Sequence, residues 1–110
     1  MIRIDSKHFC YIEPTGAPAV AILDDITRKA TALLRACSSG ETRYRGWHNC
    51  TGTRCTATSD NTDHILPDGR MTHSLLVHYV ARHRADVAAG DLAFLASLTD
   101  VAEPTAQEIG

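Results

Sequence analysis

One stretch of the chain restricts its fold more than any other. Between residues 48 and 83 it reads His48-x-Cys50-x4-Cys55-x8-His64-x8-His73-x4-His78-x4-His83. Zinc prefers thiolate and imidazole donors in a tetrahedron, and a structural site commonly draws one ligand pair from a tight turn and one from a helix. Cys50 and Cys55 have four residues between them, including Gly52, which lets a turn aim both sulfurs inward. His78 and His83 are separated by four as well, a spacing typical of such imidazole pairs. Cys50, Cys55, His78 and His83 are therefore the expected ligands of a zinc ion. On an ideal helix, five residues advance about 140° beyond a full turn, so His83 is expected in a distorted or tightened last turn. Cys10 and Cys37 are expected as core thiols, while His48, His64 and His73 remain as further candidates around the site.

The rest of the sequence sets the frame. A length of 110 residues with 44% hydrophobic residues fits one domain with a modest core and excludes a wholly disordered chain. No apolar run approaches the roughly 18 residues that span a bilayer. The first residues, MIRIDSKHF, contain no apolar leader-like run, so the expectation is a cytoplasmic protein with reduced thiols. The net charge of −2 conceals an uneven spread. Residues 1–42 are neutral, residues 43–84 carry +3 and residues 85–110 carry −5. The +3 patch is small for a dedicated nucleic-acid binder. The Ala- and Arg-rich stretch 81–89 is compatible with a bacterial source.

Local patterns predict an α+β fold: a small antiparallel sheet with an amphipathic helix, plus a zinc-stapled hairpin and helix unit at about 43–85. Residues 1–13 alternate loosely and suggest one or two short strands. The helix is expected over 18–37, with Pro18 in its first turn and Gly40 as a left-handed cap. A hairpin is expected with arms Tyr44–Cys50 and Cys55–Ser59. Residues 60–71 suggest a loop with a tight turn at Asp68-Gly69. A second helix is expected from Thr72 or His73 to Arg84, and a third over 91–98. The domain is drawn as 1–100, with 101–110 as a disordered tail.

Two resemblances bear on function. The segments Tyr44-Arg45-Gly46-Trp47-His48-x-Cys50, Ser59-Asp60-Asn61-x-Asp63-His64, Ser74-Leu75-Leu76-Val77-His78-Tyr79 and His83-Arg84 resemble a run in small uncharacterised bacterial proteins, which implies no activity. Asp63-His64-Ile65-Leu66-Pro67 resembles the D-H-I-x-P element of HNH, or ββα-metal, nucleases. That resemblance implies His64 as the general base that activates water, and His78 or His83 as ligand of a divalent cation. It implies Cys50 and Cys55 as half of a structural zinc knuckle. The family's second Cys pair is missing, and no Asn follows His64 to orient it. A zinc hydrolase lacks its usual signature too, since no H-E-x-x-H occurs and no Glu lies between Glu41 and Glu103. The leading expectation is a small zinc-binding module that recognises another macromolecule, protein ahead of nucleic acid. The alternative is a metal-dependent nuclease with His64 as base.

Overall fold

The computed structural model describes residues 8–10, 12–43, 49–58 and 62–110. Expectations for residues 1–7, for Tyr44, Arg45, Trp47 and His48, and for the Ser59-Asp60-Asn61 run lie outside these residues. The elements are helix α1 (Asp25–Ala36), strands β1 (Ser38–Arg43), β2 (Thr62–Ile65) and β3 (Met71–Thr72), helix α2 (Leu76–Arg82), a 3₁₀ turn (Arg84–Asp86), helix α3 (Ala89–Ser97) and helix α4 (Ala106–Ile109). This is the expected α+β class, with an antiparallel sheet in the order β1-β2-β3.

Helix α1 starts seven residues later than Pro18 suggested. Asp24 decides the start, because its carboxylate accepts the Thr27 N–H at 3.1 Å and caps the first turn. The preceding segment instead runs along the end of α2. There Ala19 N–H donates to the Arg82 carbonyl and Ile22 N–H to the Ala81 carbonyl, satisfying acceptors that a helix C-terminus leaves open. Arg84 returns to Asp24 with two hydrogen bonds, at 2.8 and 3.0 Å, and to the Thr27 hydroxyl at 3.1 Å. The Arg84 hydrogen bond holds the Asp24 carboxyl down at about 2, with the Thr27 contacts adding to it against some burial.

That shift fixes a sign. A depressed carboxyl stabilises the fold above its ordinary value of 3.8 and loses that contribution as pH falls towards about 2. Asp24→Ala, which removes both cap and ion pair, is expected to cost about 1–2 kcal/mol at neutral pH. Urea midpoints of wild type and Asp24→Asn should converge as pH drops from about 4 to about 2. A gap independent of pH contradicts the assignment.

The polar stretch expected as a loop forms a hairpin instead. β2 and β3 pair His64 with Thr72 and Ile65 with Met71, and Gly69 at φ +92° makes the turn beside Asp68. β1 joins the other edge of β2, with Ser38 opposite Ile65 and Ser39 opposite His64. Gly40 lies inside this strand rather than capping α1, because Cys37 already turns the chain to extended geometry at φ −67°, ψ 145°. The expected hairpin at 43–59 keeps its turn, but its described arms shrink to a bridge between Asn49 and Thr58.

Tyr79, Leu76 and Val80 of α2 form the centre of the core, with Ala30 and Leu33 of α1, Leu95 of α3, and Phe9, Cys10 and Leu66 around them. α1 packs on α2 and α3, and α4 packs on α2. Residues 101–110, drawn as a disordered tail, contain a helix. Thr105 and Glu108 close a reciprocal capping box at 2.8 and 3.1 Å, and Arg35 holds Glu108 at 2.7 Å. Among the described residues no helix is long and apolar enough to cross a membrane.

Candidate metal centre

Cys50 and Cys55 stand at the two ends of a knuckle. Cys50 N–H donates to the Ala57 carbonyl at 2.9 Å and Cys55 N–H to the Gly52 carbonyl at 3.1 Å, which folds both sulfurs to one side. Arg54 takes a left-handed φ of +59° to complete the turn. The knuckle rests on the segment before α1: Thr53 N–H donates to the Gly16 carbonyl, and the Thr51 and Thr53 hydroxyls donate to the carbonyls of Pro14 and Thr15. Gly52 is pressed into this joint. A Cβ there would lie 2.7 Å from both the Gly16 oxygen and His83 Cε1.

His78 lies within α2, and His83 lies where the helix stops. Its N–H still donates to the Tyr79 carbonyl at 2.8 Å, but its φ of −128° and ψ of 38° leave helical geometry. This break brings round a ring that an ideal helix would turn away, and the two imidazole centroids stand 5.0 Å apart. The distorted last turn expected from the spacing is present.

The four side chains converge. His83 Nε2 lies 3.4 Å from Cys50 Sγ, and His78 Nε2 lies 3.2 Å from Cys55 Sγ. All four donor atoms are within 4.8 Å of one another. Zinc–sulfur and zinc–nitrogen bonds of about 2.3 and 2.05 Å in a tetrahedron put S and N about 3.5 Å apart. The cluster is therefore already spaced to hold a metal ion, and among the described residues it is the only such group.

The surroundings suit that use. Cys50, His78 and His83 are buried, and Cys55 is half-buried. Burial pushes the Cys50 thiol up, the neighbouring Cys55 adds to this, and the Gly52 N–H opposes it. Burial also lowers both imidazoles. At His78 the Ile109 carbonyl opposes that effect while His83 and Arg82 reinforce it; at His83, Asp86 opposes it and Arg82 reinforces it. Neutral imidazoles present lone pairs at neutral pH, and a metal entering the site displaces the thiol protons. Tyr79 supports both rings, with its centroid 5.8 Å from His78 and 6.2 Å from His83.

The remaining candidates fall elsewhere. Cys10 is buried in the core, and its backbone N–H donates to Asp91. Cys37 caps α1 and its thiol donates to the Leu33 carbonyl. All four cysteines are free. His73 is buried edge-on to Tyr79 and accepts the Leu75 N–H through Nδ1. His64 is half-buried on β2 and shares with His78 a cleft of about 590 Å³, also lined by Arg35, Ser74 and Glu108.

Two contributors to the site carry no side-chain signal in a search for ligands: the Gly52 backbone and the carbonyl of Ile109, which accepts the His78 Nδ1–H at 2.8 Å. The Thr105-x-x-Glu108 pattern was readable as a capping box and could have placed the helix that carries Ile109. Comparisons with protein-family models, with curated proteins and with solved structures found no match.

Proposed function

We propose that the chain is a small zinc-binding module whose metal is structural and whose outer surface recognises a protein. The observation that carries this reading is the closed donor set. Two sulfurs and two imidazoles, their donor atoms all within 4.8 Å of one another, match the four-ligand set of a structural zinc site, which would leave no position for substrate or water. Soft thiolates with imidazoles favour zinc over magnesium or calcium.

The site's position supports the recognition role. Zinc held between the knuckle and α2 would brace segment 14–23, which hydrogen-bonds to the knuckle at one end and to the end of α2 at the other. That segment displays Val20 at 89% exposure and Leu23 at 51%. Apolar side chains on a braced, non-helical segment suit a protein partner, and a net charge of −2 does not suit nucleic acid.

A photo-crosslinking residue at position 20, in cells, is expected to give a discrete protein adduct that disappears when Cys50→Ser is added. A nucleic-acid adduct, or no adduct, contradicts the reading. The nuclease alternative draws on the cleft that His64 shares with His78. It has its own test: plasmid DNA with Mg²⁺ or Mn²⁺ is expected to stay intact, whereas nicking abolished by His64→Ala would establish the enzyme.

A further inference from the structure

We infer that helix α4 is a latch that orients His78 for the metal, so that zinc affinity depends on an ion pair remote from the four ligands. The inference rests on the zinc-binding reading above. The Ile109 carbonyl lies 2.8 Å from His78 Nδ1. A carbonyl oxygen only accepts, so Nδ1 carries the proton and the lone pair is left on Nε2, the atom facing Cys55. One backbone contact thus fixes both the tautomer and the ring angle.

The latch has its own fastening. Arg35 on α1 binds both Glu108 oxygens, at 2.7 and 3.3 Å, and the Glu103 carbonyl at 2.7 Å. Glu108 is also the reciprocal partner in the Thr105 capping box, so one carboxylate both closes the helix and ties it to α1. The fit against the ring is tight. A Cβ on Gly110 would lie 2.7 Å from His78 Nδ1, and this residue sits at φ +84°. By linkage the coupling runs both ways, so filling the metal site also holds α4 down.

The test measures zinc affinity by chelator competition in wild type, Glu108→Ala, Glu108→Gln and Gly110→Ala, together with the His78 Nδ1–H signal in ¹⁵N-edited NMR of the zinc form. Loss of an outer contact of this kind typically weakens metal binding by about 10–100-fold. Glu108→Ala and Gly110→Ala are expected within that range, with the Nδ1 proton exchanging rapidly. Glu108→Gln preserves the capping box and should recover part of the loss. Asp25→Ala removes only an exposed pair with Arg28 at the far end of α1 and should leave affinity and signal unchanged. Wild-type zinc binding with unaltered affinity and a persistent Nδ1–H in all variants overturns the latch alone. Failure of wild type to bind zinc overturns both the latch and the zinc reading.

Discussion

Cys50→Ser is expected to lose stoichiometric zinc and to melt on the order of 10–20 °C below wild type. The size of the effect follows from where Cys50 sits. It is buried, it forms one corner of the cluster, and its sulfur faces His83 at 3.4 Å. No preformed site exists in the unfolded chain, so the free energy of metal binding appears as folding free energy, about 10–16 kcal/mol in isolated zinc-finger peptides. Part of that stability is independent of metal here, because α1, α2 and α3 share a core of their own. The variant should therefore keep much of its helix content by circular dichroism while its melting transition falls and ceases to respond to added chelator. Wild type should fall to a similar melting temperature when chelated. A Cys50→Ser protein that melts with wild type would separate the cluster from stability altogether.

Gly52→Ala is the second large effect and acts without replacing a ligand. The new methyl group would meet the Gly16 oxygen and the His83 ring, each at 2.7 Å. Neither can retreat cheaply. Gly16 is fixed by the Thr53 N–H, and His83 is bounded by Tyr79 and by its partner ring at His78. Overpacking of this kind costs about 1–3 kcal/mol, and displacement of His83 adds a loss of zinc affinity. Equilibrium unfolding with and without zinc distinguishes the two parts. Gly69→Ala makes the matched comparison, since a Cβ there meets nothing within 4 Å and only the left-handed φ of +92° is strained. It should destabilise the hairpin turn while leaving zinc affinity intact. Equal zinc affinity in Gly52→Ala and wild type would contradict the close packing at the knuckle.

The clustering of Cys50, Cys55, His78 and His83 was legible because its information is local. Two pairs of the right residue types at the right spacing define what a turn and a helix end can offer, and even the break at His83 followed from helix geometry. The expected hairpin turn and the Asp68-Gly69 turn were legible for the same reason. Elements set by distant partners were not. β1, with the sequence Ser-Ser-Gly-Glu-Thr-Arg, has no strand-like apolar pattern and is a strand because β2 lies beside it. The start of α1 turned on Asp24, whose capping role is reinforced by Arg84, sixty positions away. The stretch 18–23 looked helical because its apolar spacing continues that of α1, yet its backbone groups are used by the end of α2. α4, four residues long, shows too little periodicity to read and is marked in the sequence only by its Thr105-x-x-Glu108 capping pattern, while its hold on the fold comes from Arg35 and His78.

The central claim is that Cys50, Cys55, His78 and His83 together hold one zinc ion in a closed site. Zinc-edge X-ray absorption on the purified protein, with metal content measured on the same sample, tests it most directly. The account predicts one zinc per chain, with two sulfur neighbours at about 2.3 Å and two nitrogen neighbours at about 2.0–2.1 Å. A substoichiometric metal content, or a first shell that includes water or carboxylate oxygen, would contradict it.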